Sequence, residues 1–214
     1  MKWVTFAVIT FVMMGCSTAT ESIPPLNATD ATAVTFQADW NGHPQEAAWS
    51  RFVLSALESV GQNLLATTPT DAQEFCPAFA SLDRDGRRQF YLALISSMAR
   101  YESSFDPSVS FQESFNDAQG NPVISRGLLQ LSVESANAYS GCLLDRAEEL
   151  HDPETNLTCG VAILDRLIGR DQVIGGRVNG RWRGGAAYWS VLRQTSSRRQ
   201  QITNFTRTID ACRI

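Results

Sequence analysis

The chain has 214 residues and a formal net charge of −4. An acidic balance excludes the basic footprint of a nucleic-acid-binding protein. Beyond the first residues, the chain has no apolar segment long enough to span a bilayer as a helix, which excludes a multi-span membrane protein.

The first fifteen residues form an export signal. Lys2 precedes an apolar run at 3–14 that is too short for a transmembrane helix, and small residues follow it. The segment 13–16 resembles a bacterial lipoprotein cleavage box with Cys16 as the lipid-bearing residue, although Met13 stands where Leu or Val is usual. Ordinary signal cleavage within 17–19 is the alternative. We therefore expect a periplasmic, outer-membrane-anchored or secreted protein that contacts membrane only through a lipid at Cys16.

Residues 16–43 are rich in Thr, Ala, Ser and Pro and show little hydrophobic periodicity, which predicts a flexible tether. Residues 44–214 fit the size of one domain and contain no internal repeat. We expect this domain to be a monomer.

Four cysteines remain beyond Cys16, and an even number in an exported chain predicts two disulfides. Of the three possible pairings, we favour Cys142 with Cys159, which flank a short helix-loop-helix. The other pair, Cys76 with Cys212, would then tie the C-terminal helix to the N-terminal part. No Cys-x-x-Cys or Cys/His cluster is present, so we expect neither a metal nor a cofactor.

The apolar spacing in the first half of the domain is helical. Apolar residues recur on one face over 45–66, and again from Phe90 to Tyr101, immediately before Glu102. The second helix should end by Asp106, because the residue before a proline avoids helical geometry. Residues 121–125 are the best candidate for a short strand or extended wall.

The second half continues in helices. Ser132 can cap a short helix to residue 139, and Asp152 followed by a first-turn proline predicts a helix from 153 to about 169. Asn179 and Gly180 predict a turn. Two more helices are expected over 185–193 and 197–212, which makes the fold class mainly α.

Four segments in chain order resemble the catalytic domain of soluble lytic transglycosylases and goose-type lysozymes. They are Glu-Ser-Ser-Phe-Asp-Pro at 102–107, Gly-Leu-Leu-Gln-Leu at 127–131, Leu-His-Asp-Pro-Glu-Thr-Asn-Leu at 150–157 with Gly160, and Ala-Ala-Tyr at 186–188. The resemblance implies a lysozyme-like single domain with a short extended or β wall beside its cleft. It also implies a peptidoglycan partner, cleaved at the β-1,4 bond between N-acetylmuramic acid and N-acetylglucosamine.

Glycosidic cleavage needs a carboxylic acid that stays protonated near neutral pH because its surroundings are apolar. Glu102 at the end of an apolar helix, beside Tyr101 and Phe105, suits this role of general acid and base. By resemblance, Ser103 directs the Glu102 carboxyl or the sugar through a hydrogen bond, whereas a serine near a helix end is otherwise a common cap.

Four more residues are candidates for substrate binding. Gly127 would allow the backbone close to a sugar ring, and Gln130 could direct its amide towards an acetamido group. Tyr188 resembles the family's active-site tyrosine. Trp189 replaces the usual asparagine, and it either stacks on a sugar or fills the core.

A second carboxylate decides the reaction product. A lytic transglycosylase forms an anhydro sugar without one, whereas a lysozyme usually needs an acid to position water. Glu113 and Asp117 lie on the loop before Ser125 and are candidates, although Asp117 also fits simple turn chemistry. A non-catalytic peptidoglycan-binding lipoprotein with a degenerate cleft is the alternative from another functional class.

The charge along the chain is uneven. Residues 102–154 hold ten acids against two arginines, and residues 160–214 hold ten arginines against three acids. The two segments could attract each other, or the acids could form a solvated face. Alternatively, an acidic groove would favour peptidoglycan whose amino sugars have lost their acetyl groups and carry ammonium charges.

Overall fold

The structure of the chain is a computed structural model that describes residues 36–139 and 142–213. The predicted export signal and Cys16 lie outside these residues. Within them, helices predominate and the strands form two small antiparallel sheets, so the mainly α fold class is confirmed. The helices are α1 Glu46–Ser59, α2 Gln62–Ala66, α3 Ala72–Phe75, α4 Arg84–Ser103, α5 Val133–Asn137, α6 Pro153–Asp171 and α7 Ser197–Thr206. The strands are β1 Ser110–Asn116, β2 Pro122–Arg126, β3 Gly175–Val178 and β4 Arg181–Gly184.

Helix α4 runs through the middle of the hydrophobic core. Asp83 caps its start by accepting a hydrogen bond of 2.8 Å from the backbone N–H of Gly86. Every residue from Gln89 to Ala99 is buried, because α1, α2 and α7 pack around the helix. A helix that is buried on all sides is fixed in position. Glu102, in its last turn, is therefore held by the core.

The helix predicted over residues 45–66 is two helices, α1 and α2, and the prediction of one helix was wrong. The break falls at Val60 and Gly61. A Cβ atom on Gly61 would lie 2.8 Å from the Leu57 Cα and 3.1 Å from the Val161 Cγ1. The chain thus turns at the glycine, where α6 packs closely against it.

Strands β1 and β2 form a hairpin whose second strand matches the predicted extended segment. The register pairs Ser110 with Arg126 and Phe111 with Ser125, and an irregularity follows between Gln112 and Asn116. The partner strand β1 was not predicted, because its sequence shows no buried face. This hairpin forms one wall of the cleft described below.

The C-terminal region departs from prediction in two places. The segment 185–193 contains two short 3₁₀ turns instead of a helix, and α7 ends at Thr206 instead of continuing to Cys212. Gly184 has φ +59°, and a Cβ there would lie 2.0 Å from the Val173 carbonyl oxygen, so the chain leaves β4 in a conformation that only glycine allows. The predicted turn at Asn179 and Gly180 joins β3 to β4.

Residues 36–43 were predicted as part of the tether, but they pack on the domain. Trp40 is only 1% exposed, and Asp39 forms an ion pair of 2.7 Å with Arg100 at the end of α4. The backbone N–H of Gln37 donates to the Gln89 side chain. The domain thus begins at least eight residues before the predicted boundary, because single buried contacts leave no periodic pattern.

Both favoured disulfides are present. Cys76 is bonded to Cys212, and Cys142 is bonded to Cys159. Over the described residues, no helix combines the length and the apolar character that crossing a bilayer requires.

Candidate active site

A cleft of about 620 Å³ lies between the β1–β2 hairpin, the C-terminal end of α4 and the segment 187–193. Its lining brings together six of the residues singled out in the sequence, which come from five separate parts of the chain. They are Glu102, Glu113, Asp117, Gln130, Tyr188 and Trp189. Ser103 and Gly127 do not line it.

Glu102 is the carboxyl group at the inner side of this cleft. The chain leaves α4 directly after it, since Ser104 and Phe105 both have left-handed backbone conformations with φ of 55° and 67°. Burial is the larger cause and the nearby charge of Glu113 the smaller, and together they raise the pKa of Glu102 to about 7. A substantial fraction of Glu102 is therefore protonated at neutral pH and able to donate a proton.

Glu113 and Asp117 are held in different ways. The hydroxyl of Ser125 donates to Glu113 Oε1 at 2.6 Å, which directs this carboxylate across the hairpin. Asp117 accepts from the backbone N–H groups of Gln119 and Asn121 and from the Asn121 side chain, at 2.7–3.1 Å. These hydrogen bonds, chiefly those from Asn121, lower the pKa of Asp117. Asp117 thus shapes the hairpin turn, while Glu113 interacts electrostatically with Glu102.

Tyr188 lines the cleft from the segment 187–193. Its hydroxyl oxygen accepts a hydrogen bond of 3.1 Å from the backbone N–H of Ser132. Burial raises its pKa, and the charge of Glu102 adds to this effect, which places the two side chains in one electrostatic environment. The tyrosine therefore joins the start of α5 to the cleft.

Gly127 and Gln130 fix a tight turn, and of the two only Gln130 lines the cleft. Gly127 has φ +74°, and a Cβ on it would lie 2.1 Å from the Leu150 carbonyl oxygen and 2.4 Å from Asn156 Nδ2. The close approach expected to a sugar is thus an approach to the protein itself. The Gln130 amide nitrogen donates to the carbonyls of Val109 and Gly127, at 3.1 and 2.9 Å, instead of pointing at a substrate.

Ser103 and Trp189 are also turned inward. The hydroxyl of buried Ser103 donates to the Ala99 carbonyl in its own helix at 3.2 Å. Trp189 is 2% exposed, and its indole N–H donates to the Leu129 carbonyl at 2.9 Å. Of the two roles considered for Trp189, this geometry corresponds to filling the core.

Asn156 was quoted within a motif but given no role, and it is the residue that organises the turn at 126–130. Its side chain is fully buried, and Oδ1 accepts from the Leu129 N–H at 2.9 Å. Its Nδ2 donates to the carbonyls of Arg126 and Leu150. A buried amide with every hydrogen-bonding group occupied holds its partners firmly.

Ser125 and Arg193 also line the cleft, and neither was predicted as a site residue. Both are single polar residues outside any motif, so only their spatial position distinguishes them. Among residues 36–139 and 142–213, no cluster of three or more His, Cys, Asp or Glu side chains is arranged to hold a metal ion.

Comparison with known proteins points to the family that the four sequence motifs resemble. The model of the family described as transglycosylase SLT domain matches residues 82–199. The solved structure of wild-type Bd0314 DslA in its form 2 is 45% identical in sequence, with a TM-score of 0.79, and the match covers 83% of this chain and 98% of that chain.

Two variants of DslA, each with one glutamate replaced by glutamine, also match. Both are 45% identical, with TM-scores of 0.79 and 0.78, and each match covers 82% of this chain and 97% of that chain. The two replaced glutamates are eleven positions apart in DslA. A comparison with curated proteins found no significant match.

Proposed function

Since the chain belongs to the transglycosylase SLT domain family, we propose that it cleaves the β-1,4 bond between N-acetylmuramic acid and N-acetylglucosamine in peptidoglycan, with Glu102 as the general acid. One observation carries this proposal: a carboxyl group lines the cleft with a pKa raised to about 7. A protonated carboxyl can donate its proton to the glycosidic oxygen as the bond to the anomeric carbon breaks.

Glu113 is the second catalytic group in this proposal. It lines the same cleft, and its carboxylate interacts with Glu102. The ionised carboxylate would accept a proton from a water molecule that attacks the anomeric carbon. The product is then a hydrolysed sugar with a free reducing end, as in a lysozyme. Asp117 is less suited to this task because its oxygens bind the hairpin turn.

The related structures support the choice of this pair. Glu102 and Glu113 are eleven positions apart, which is the separation of the two glutamates replaced in the DslA variants. With 45% identity over nearly all of that chain, equal spacing favours equivalent positions.

The test is cleavage of purified cell walls, followed as loss of turbidity. We expect Glu102→Gln to lower the rate by several orders of magnitude, because its amide cannot donate the proton. Glu154→Gln is the matched control, since Glu154 is an exposed glutamate on α6 that does not line the cleft. A Glu102→Gln variant with more than about a tenth of the wild-type rate would remove Glu102 from the reaction.

The same assay on the wild type distinguishes cleavage of the walls from simple binding to them. A wild type that binds walls without cleaving them would establish the non-catalytic alternative. The masses of the released fragments distinguish the products, because a hydrolysed fragment is heavier than the anhydro product by one water. Fragments that all carry the anhydro sugar would contradict the role of Glu113.

We also propose that the enzyme prefers deacetylated peptidoglycan. Four acids line the cleft, Glu102, Glu113, Asp117 and Glu134, and we refer to them as the acidic cluster. Within the described residues, no ion pair joins the acidic segment 102–154 to the arginine-rich segment 160–213, so the acids are not neutralised across the fold. Glucosamine ammonium groups would therefore be attracted to the cluster.

Treatment of walls with a deacetylase tests this preference. We expect treated walls to be cleaved faster than untreated walls at low salt, and the difference to shrink as salt screens the charges. Equal or faster cleavage of fully acetylated walls at low salt would leave an enzyme of general peptidoglycan specificity.

The proposed substrate places the protein outside the cytoplasm. We propose that Cys16 is the lipidated residue and that a tether links it to the domain, whose first described contacts begin near Gln37. Incorporation of labelled fatty acid at Cys16 in cells expressing the full chain tests this. An unlabelled protein with its N-terminus at Thr20 would indicate ordinary secretion.

A further inference from the structure

The charges that line the cleft come from different segments of the chain. The acidic cluster comes from the end of α4, from the β1–β2 hairpin and from α5, whereas Arg193 belongs to the segment 187–193. Within the described part of the chain, Arg193 is the one lysine or arginine that lines the cleft. The segment 187–193 therefore contributes the positive charge of the cleft, and the other segments contribute its negative charges.

Arg193 is held in place by two contacts. Its Nε donates to the Ala186 carbonyl at 3.2 Å, and its guanidinium carbon lies 5.6 Å from the centre of the Trp182 ring. Arg177 also stacks on Trp182, at 5.1 Å, which limits the movement of that ring. The guanidinium group is thus preorganised, so little conformational entropy is lost when it binds a ligand.

Most of the hydrogen-bonding capacity of Arg193 remains available. A guanidinium group carries five N–H donors, and the contact with Ala186 uses one of them. Among residues 36–139 and 142–213, no carboxylate forms an ion pair with it, whereas Arg183 contacts Asp171 at 3.6 Å. A planar fork of donors of this kind matches a carboxylate, which it binds through two parallel hydrogen bonds.

We propose that Arg193 binds a carboxylate carried by the muramic acid residue of the substrate, a specificity that rests on the proposed function. Two sources share this chemistry: the lactyl group of muramic acid, where it is free, and the peptide attached to it. Carboxylates of either kind are repelled by the acidic cluster and attracted by Arg193. Amino groups of the sugars are attracted to the acidic cluster.

The arrangement therefore orients the glycan strand. Glucosamine carries no carboxylate, so only the muramic acid residue can be held by Arg193. With that residue beside the segment 187–193, the strand has one electrostatically favoured direction across Glu102. Arg193 is a specificity-determining residue in this proposal, and the proton transfer itself stays with Glu102.

Binding measured in the Glu102→Gln background tests the proposal without requiring turnover. Three ligands separate the possible contacts: intact cell walls, strands from which an amidase has removed the peptides, and partly deacetylated chito-oligosaccharides, which carry no carboxylate. We expect Arg193→Gln to weaken binding about tenfold to intact walls or to amidase-treated strands, and to leave binding to chito-oligosaccharides unchanged. A loss on the amidase-treated strands, whose lactyl carboxylate is free, assigns that group. A loss on intact walls alone, where the peptide occupies the lactyl carboxyl in an amide bond, assigns the peptide.

Two further variants serve as controls. Arg193→Lys keeps the charge and should recover part of the binding to intact walls. Arg51→Gln removes the same charge from an exposed site on α1, outside the cleft, and should have no effect. Unchanged binding of both intact walls and amidase-treated strands by Arg193→Gln would overturn the proposal, and so would an equal loss on chito-oligosaccharides, which would indicate a structural role.

The binding result for Arg193 and the cleavage result for the wild type can fail independently of each other. If the wild type fails to cleave walls but Arg193→Gln still weakens carboxylate-dependent binding, the cleavage reaction is wrong and the Arg193 site stands. If the wild type cleaves walls and Arg193→Gln binds both intact walls and amidase-treated strands normally, the reaction stands and the Arg193 site is wrong.

Discussion

The raised pKa of Glu102 depends on its own position in the fold and on the charge of Glu113. Burial at the end of α4 raises its pKa, and Glu113, eleven positions later on β1, contributes a like charge. Ser125 on the paired strand holds Glu113 through a hydrogen bond of 2.6 Å. The protonation of Glu102 therefore depends on the hairpin as well as on its own helix.

The pH dependence of cleavage follows from this interaction. Only protonated Glu102 can donate, so we expect kcat/KM to fall as the pH rises through about 7. The negative charge of Glu113 raises the pKa of Glu102, and Glu113→Gln removes that charge. The falling limb of the residual activity should then move to lower pH.

Glu134→Gln provides the control for this shift. It removes a carboxylate from the cleft lining, but Glu134 is not a source of the raised pKa, so the limb should stay in place. A limb that Glu113→Gln leaves unmoved would contradict the electrostatic interaction between the two glutamates.

Among the secondary-structure elements, α6 fixes the turn at 127–130 through the side chain of Asn156. The amide of Asn156 bonds backbone groups at both ends of the turn and also at Leu150. The Gly-Leu-Leu-Gln motif is thus a packing motif, which brings the side chain of Gln130 to the cleft and places β2 beside α6.

Substitution of Gly127 tests this packing. A Cβ would lie 2.1 Å from the Leu150 carbonyl oxygen, and the backbone has φ +74°, so we expect Gly127→Ala to lower the free energy of unfolding by about 3 kcal/mol or more. Gly120→Ala is the matched control, because Gly120 has φ +86° and nothing lies within 4 Å of a Cβ there.

The control isolates the steric contact from the backbone conformation. We expect Gly120→Ala to cost about 1 kcal/mol, which is the penalty for the left-handed backbone alone. Chemical denaturation measures both values. Equal losses in the two variants would show that contact with Leu150 and Asn156 is not what requires glycine at 127.

At the scale of the whole molecule, the two disulfides close loops of very different size. Cys76 and Cys212 are 136 residues apart, whereas Cys142 and Cys159 are 17 apart. The long loop joins the segment after α3 to the chain end, and Thr206 supports the same junction by donating to the Phe75 carbonyl at 2.8 Å.

Removal of each disulfide should therefore have a different cost. In the chain-entropy model, a longer loop restricts the unfolded state more, so the double Cys→Ala variant of Cys76 and Cys212 should lose about 5 kcal/mol of unfolding free energy. The variant of Cys142 and Cys159 should lose about 3 kcal/mol. Denaturation of each variant measures the difference, and a larger loss from the short loop would contradict the ranking.

Features that depend on local chemistry could be predicted from the sequence. Apolar spacing predicted the helix before Glu102, Asp152 and Pro153 marked the start of α6, and the cysteine count with its spacing predicted both disulfides. Each of these signals lies within a short stretch of chain, where helix periodicity, capping and loop closure apply directly.

Which polar side chains face the cleft depends on tertiary packing and could not be predicted from local patterns. Gln130 was predicted to contact substrate, and Trp189 either to stack on a sugar or to fill the core, but the polar hydrogens of both side chains are used by backbone carbonyls. Arg193 lines the cleft without belonging to any motif. A side chain's direction and its hydrogen-bonding partners depend on which distant segments pack beside it, and no local pattern in the sequence records that packing.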